Sequence, residues 1–177
     1  MERVAELMER WAGRMGVDAV EVRRWRAAGL LHDVLRDAPP QELRPLLGPE
    51  EAKLPDGILH GPAAVIRLRD EGVRDEGFLL AIGYHTLGHP GFDLLGRMLF
   101  AADFLEPGRS WKREWRGELR GRMPEEYPEV VRTVAGARIQ RLLADARPLE
   151  ATTVGFWNLL MDEVTGEQEE RHGSLEE

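Results

Sequence analysis

The chain has 177 residues, 42% of them hydrophobic, with 32 acidic against 24 basic side chains and a formal charge of −8. That length suits one domain with a sizeable core, and the acidic balance argues against DNA, RNA or an anionic membrane as a partner. No cysteine is present, so disulfides and thiolate metal sites are excluded and His, Asp and Glu are left as the strong metal ligands.

The apolar runs fall short of the roughly 18–20 residues that cross a bilayer. The N-terminus, MERVAELMERW, is amphipathic and carries acids, unlike a signal peptide, so a cytoplasmic location is the default expectation. Lysine occurs only at Lys53 and Lys112, and the other basic residues are arginine. Arginine suits bidentate phosphate contacts, but the base composition of a gene accounts for such a bias at least as well. A small polyanion stays compatible with the net charge where metal ions or a local arginine cluster offset it.

In chain order the elements are helical. Val4, Leu7, Met8, Trp11 and Met15 recur at intervals of three and four, which predicts a helix over 2–15. Gly16 is its C-terminal stop. A second helix is expected over 19–34. RDAPPQEL breaks it and starts a short helix at Pro39 and Pro40, and LPDG at 54–57 is a turn signal. Gly61 and Pro62 open a helix over 62–71. The next, over 75–85, is stopped by GHPG at 88–91, and a third, over 92–105, ends at Pro107 and Gly108. A looser segment carries Trp111 and Trp115, read as an exposed patch, with a homodimer left open. Helices over 128–146 and 151–164 complete the series. No repeat or linker divides the chain. The expectation is one all-α domain over 1–165 and a polar, acidic, disordered tail over 166–177.

Several polar residues do not belong in a core. His32 and Asp33 sit among Leu30, Leu31, Val34 and Leu35, and Asp103 sits among Leu99, Phe100, Ala102, Phe104 and Leu105. A buried carboxylate without a partner loses its hydration at high cost. His60 stands at a helix start, His85 ends the apolar FLLAIGYH, and His89 lies in the turn beyond; His172 is in the tail. A lone histidine on an apolar helix is usually a hydrogen-bonded core residue, and an aspartate in such a run is often a cap or an edge residue. Taken together, His32, Asp33, His60, His85 and Asp103 form a mixed N and O donor set of the kind that iron, manganese, cobalt or zinc accepts. A metal would also neutralise the carboxylates. If the second helix continues through both, His32 and Asp33 point about 100° apart, so Asp33 can bridge to a second ion.

Four segments, AGLLHDVLRD, ILHGPAAV, AIGYHTLGHPGF and MLFAADFLEPGR, match in order and spacing over residues 2–110, and RPLEATTVGFWNLL adds a C-terminal match. With them the chain resembles the HD-domain phosphohydrolases, and within them the YqeK-type symmetrical diadenosine tetraphosphate hydrolases. The His-Asp pair alone is unspecific; its combination with YHT and AADFLEP is specific. The resemblance implies an all-α helical bundle, the HD domain, with a di-metal site. The expected ions are iron first, then manganese, cobalt, zinc or magnesium. His32, Asp33, His60, His85 and Asp103 would be the ligands, with Asp33 bridging. Metal-activated hydroxide would cleave diadenosine tetraphosphate into two ADP.

Arg36 stands where the family has a lysine, and would stabilise charge on the phosphoryl group; its alternative is a solvated surface arginine. Thr86, Glu106 and Arg109 fall in family motifs and would touch substrate, or else cap helices or pair with each other. His89 replaces a frequent arginine and would contact phosphate, or is simply a turn residue. The family has one more histidine ligand on its first helix, which aligns four residues before Val4, immediately ahead of Met1. Either the natural protein carries it further upstream, or one metal is held more weakly. Two further readings stand beside the leading one: another HD-type nucleotide phosphohydrolase, and a degenerate HD domain that binds nucleotide without turnover. A purely structural helical bundle leaves Asp33 and Asp103 unexplained.

Overall fold

The computed structural model describes residues 1–173. Nine α-helices and three short 3-10 turns are found among them, with no strand. The apolar stripe of the first segment buries Val4, Leu7, Met8 and Trp11 on α1 (Glu2–Arg14). Gly16 closes it at φ +69°, a left-handed turn that glycine adopts without steric cost. Asp18 caps α2 (Ala19–Leu31) by accepting from the amides of Val20 and Glu21. α1 packs along α2. At their crossing a Cβ on Gly29 would stand 2.5 Å from the Cα of Ala5 and 2.7 Å from its nitrogen, so only glycine fits.

α3 (Pro40–Leu43) and the turns Arg44–Leu46, Glu51–Lys53 and Asp56–Ile58 form an arch that leads to α4 (His60–Asp70). A small separate core of Leu43, Leu59 and Ala63 holds the arch down. Next come α5 (Glu76–Tyr84) and α6 (Leu94–Leu105), then α7 (Arg113–Gly121), α8 (Tyr127–Ala144) and α9 (Ala151–Gly173). Every residue of α6 is buried except Leu94 and Arg97. A helix that is apolar all round has to be enclosed, and α6 touches α1, α2, α5, α7 and α8. Asp103 therefore lies at the centre of the bundle.

The sequence reading needs four corrections here. α2 stops at Leu31 instead of 34, so His32 and Asp33 lie at and beyond a helix end and do not share a continuing helix surface. The segment read as loose contains α7, whose buried face is carried by Arg116 and Leu119; with Trp115 and Leu119 its sole large apolar side chains, the stripe is too sparse to mark a helix. Trp115 is no free surface residue: it packs edge-on against Phe104 at 6.1 Å and Trp111 at 6.4 Å, while Trp111 keeps 37% exposure. α9 runs to Gly173 rather than 164, through Glu, Gln and Arg, all good helix formers. The helix thus enters the expected tail, whose last residues, 174–177, lie outside the described ones. No helix among the described residues is long and apolar enough to cross a membrane.

One arginine ties the N-termini of two later helices to α2. Arg24 donates through Nε to Asp75 Oδ2 at 2.6 Å, and through Nη2 to Asp75 Oδ1 at 3.0 Å and Asp93 Oδ2 at 3.3 Å. Asp75 caps α5 and Asp93 caps α6. The Arg24 hydrogen bond, against some desolvation, holds the Asp75 carboxyl below its ordinary range. A depressed carboxylate stabilises the fold above its unfolded pKa of about 3.9 and loses that contribution as pH falls through the folded value. Stability is therefore expected to decline below about pH 4. Asp75→Ala is expected to lower stability at neutral pH by about 1 kcal/mol, the value of a helix cap, and to flatten the acid decline. Thermal melts between pH 7 and pH 3 check both.

Candidate active site

α2 and α5 end by the same device. The last carbonyls of a helix lack intrahelical partners. His32, just after α2, places Nδ1 2.9 Å from the Gly29 carbonyl, and His85, just after α5, places Nδ1 2.8 Å from the Ile82 carbonyl. A carbonyl only accepts, so each Nδ1 donates and each Nε2 is turned inward, where it can take a proton or a metal ion. A continuing helix would give those two carbonyls to backbone amides; here the rings take them. Second-sphere bonds of this kind fix the orientation of metal-ligating imidazoles.

The inward atoms converge. Asp33 Oδ1 lies 3.1 Å from His60 Nε2 and 3.5 Å from His85 Nε2, and Asp33 Oδ2 lies 3.4 Å from His32 Nε2. His60 and His85 face each other, Nε2 to Nε2, at 3.2 Å. Asp103 Oδ1 is 3.8 Å from His32 Nε2. The three histidines and Asp103 are buried, and Asp33 is nearly so. Burial pushes the Asp33 carboxyl up, but hydrogen bonds from His32, His60 and His85, made where the facing Nε2 carries a proton, outweigh it and hold the group well below the usual range. Burial likewise pushes Asp103 up, and the Arg138 and Arg109 charges more than offset it. Burial pushes His85 down, which keeps it neutral and able to ligate.

The donor chemistry fits a cation. Ring nitrogens whose lone pairs face a carboxylate, and each other, are an arrangement that only a proton or a metal ion reconciles. His32, Asp33 and His85 offer atoms that all lie within 4.8 Å of one another, and His60 joins through both Asp33 and His85. Three nitrogens with carboxylate oxygens suit first-row divalent ions.

A second feature abuts this cluster. A cavity of about 280 Å³ is lined by Arg109, Arg116, Arg138, Arg141 and Arg147, with Thr86, Phe104 and Trp111. Asp103 joins the two features. Arg109 donates through Nη2 to its Oδ1 and through Nε to its backbone carbonyl at 3.0 Å. Arg138 donates through Nη2 to its Oδ2 at 3.0 Å and through Nη1 to the Thr86 carbonyl at 3.1 Å.

The structure thus brings together His32, Asp33, His60, His85 and Asp103, and sets Thr86 and Arg109 in the adjoining cavity. Arg36 lies beside the cluster, with Nη1 3.4 Å from Asp33 Oδ1. Glu106 is engaged by Arg3 and by the Gly108 amide, at the base of the turn that carries Arg109. His89 does not line the cavity: its ring packs against Tyr84 at 4.7 Å and its Nδ1 accepts from the Gly91 amide. Sequence reasoning missed Arg116, Arg138, Arg141 and Arg147. The one signal was the abundance of arginine, which reads equally well as gene composition.

The family model for the HD domain matches residues 1–108, a span that holds all five clustered donors. A Bacillus subtilis (strain 168) protein named symmetrical bis(5'-nucleosyl)-tetraphosphatase is 34% identical over 108 residues, covering 56% of this chain and 55% of that one. A protein of the same name from Halalkalibacterium halodurans is 33% identical over 90 residues, 48% of each chain. Another from Staphylococcus aureus is 44% identical over 54 residues, covering 30% of this chain and 28% of that one. The chain thus spans about half, or less, of the length of these curated relatives. A Clostridium acetobutylicum crystal structure, described as a "predicted HD superfamily hydrolase involved in NAD metabolism", superposes with a TM-score of 0.80 at 28% identity, over 92% of this chain and 87% of that one. HD domains hold divalent metals, and the His and Asp cluster supplies the donors for one. With an all-helical bundle, that cluster at its centre and a family match over residues 1–108, the chain belongs to the HD-domain family.

Proposed function

We propose that the chain is a cytoplasmic, metal-dependent phosphohydrolase that splits diadenosine tetraphosphate into two ADP. The observation that carries the reading is the double role of Asp103, which faces His32 in the donor cluster and is bonded to two arginines of the adjoining cavity. A phosphoanhydride held in that cavity is thereby set against the cluster. The names of the relatives at 33% and 34% identity support a dinucleoside tetraphosphate as the substrate class.

His32, Asp33, His60, His85 and Asp103 would hold the metal, iron being the first expectation and manganese, cobalt, zinc or magnesium the others. When bound, divalent ions supply Lewis acidity toward phosphoryl oxygen and lower the pKa of water. The chain's own residues do the rest. The Gly29 and Ile82 carbonyls fix two imidazoles before substrate arrives. Arg109 and Arg138 keep Asp103 ionised and line the cavity. Arg36 adds positive charge beside Asp33, where negative charge grows as water oxygen bonds to phosphorus and the bridging P–O bond breaks. Thr86 lines the phosphate path, and Glu106 steadies the turn that carries Arg109.

The test is hydrolysis of diadenosine tetraphosphate by anaerobically prepared protein, supplied separately with iron(II), manganese, cobalt and magnesium, with the products separated. ADP as the sole product is the expected outcome. AMP with ATP, or no turnover with any ion, overturns it. The description of the Clostridium neighbour favours a second reading, hydrolysis of another dinucleotide; turnover of such a substrate in preference to the tetraphosphate would establish that instead.

A further inference from the structure

Among the described residues, Arg116 is a buried cavity cation that no carboxylate or carbonyl answers. Arg116 of α7 is 6% exposed and lines the cavity, yet its Nε and Nη1 have no hydrogen-bond partner among the described residues. Its guanidinium lies 4.3 Å from the Phe104 ring centroid and 5.1 Å from that of Trp111. Aromatic faces partly compensate a buried cation but accept no ordinary hydrogen bond. Unmade hydrogen bonds of a buried guanidinium are costly. Arg109 and Arg138 stand close by, so burial and like charge both act against the Arg116 cation. Arg109 and Arg138 differ from it in that each is bonded to Asp103. Among the described residues, no carboxylate lines the cavity. Five arginines there exceed what one phosphate needs, and Arg141 and Arg147 carry the positive lining beyond the Asp103 pair.

We infer that Arg116 binds a phosphate remote from the His and Asp cluster, so that the cavity is a polyphosphate subsite holding the nucleoside diphosphate half of the substrate. The inference rests on the phosphohydrolase reading. It adds a specificity rule: the half held in the cavity must bring more than one phosphate. Phe104 acts as the shelf that presents the guanidinium, with its planar fork turned to phosphate oxygens.

The experiment is calorimetric titration of ADP, AMP and adenosine into the purified protein. ADP is expected to bind more tightly than AMP, with an affinity that falls as salt rises. Arg116→Met keeps the stem on Phe104 and removes the charge. It is expected to weaken ADP by about tenfold or more, the scale of a hydrogen bond to a charged group, and to leave adenosine unchanged. Unaltered ADP affinity overturns the inference, as does an equal loss for all three ligands, which marks a purely structural role. Should Arg116→Met fail to fold, Arg147→Gln, in the exposed connection between α8 and α9, is expected to narrow the ADP-over-adenosine preference; an unchanged preference overturns the subsite. Arg116-dependent ADP binding without tetraphosphate hydrolysis defeats the tetraphosphatase reading and leaves the subsite standing. Hydrolysis with Arg116-independent ADP affinity does the reverse.

Discussion

Asp33→Ala is expected to reduce hydrolysis by about 10²–10³-fold or more, the range associated with loss of a single charge-stabilising group, and to strip metal from the protein without changing its helix content. Three imidazoles face this one carboxylate, at 3.1, 3.4 and 3.5 Å. Without it, His60 and His85 oppose each other with no anion between them. The fold is spared because Asp33 sits in the turn after α2 and caps nothing. Metal content per chain, far-ultraviolet circular dichroism and product formation measured on one preparation test all three claims. Asp33→Asn sharpens them, since it keeps the shape and loses the charge. Full activity in that variant would sink the ligand assignment.

The largest stability effect is expected from Gly29→Ala. The added methyl would lie 2.5 Å from the Ala5 Cα, and backbone cannot swing aside as a side chain tip can. α1 and α2 must separate, at a cost of about 3 kcal/mol, the upper part of the usual range for overpacking. At roughly 2–4 °C per kcal/mol for a chain of this size, the melting temperature should fall by about 10 °C. The Gly29 carbonyl also orients His32, so metal affinity should fall with stability. Gly13→Ala is the control: it lies in α1 with nothing within 4 Å of the new methyl, and should stabilise by up to about 1 kcal/mol. A Gly29→Ala protein as stable as its parent would show that the helices tolerate separation.

Much of the fold was legible because its rules are local. The interval of three and four in α1, Gly16 after it, and the proline pair at the start of α3 each act within one turn of chain. The five donors were legible because ionisable groups in apolar runs are physically anomalous, and the spacing of the four motifs made the anomaly specific. What stayed hidden depends on tertiary neighbours. α2 ends early because the His32 ring takes the Gly29 carbonyl, and no propensity scale records that competition. α7 escaped because only Trp115 and Leu119 give it an apolar stripe, and the rest of its inward face is the Arg116 guanidinium resting on Phe104. The arginine cavity escaped because Arg109 and Arg116 meet Arg138, Arg141 and Arg147 only after folding, each unremarkable in an arginine-rich chain. For His89, which stands in place of a frequent family arginine, the structure shows the turn-residue alternative: its ring rests on Tyr84 and its Nδ1 accepts from the Gly91 amide.

The His and Asp donors come from the segment that ends with α6, inside the span matched by the family model. Most of the arginine lining comes from α7, α8 and the connection after it. Asp103 and Phe104, neighbours on α6, are the hinge between the two: one serves the reacting centre, the other props the anion wall. Such an arrangement separates inheritance of chemistry from inheritance of taste. On the proposed reading, changes after residue 108 would redraw which phosphate chain the cavity admits while leaving the five donors in place.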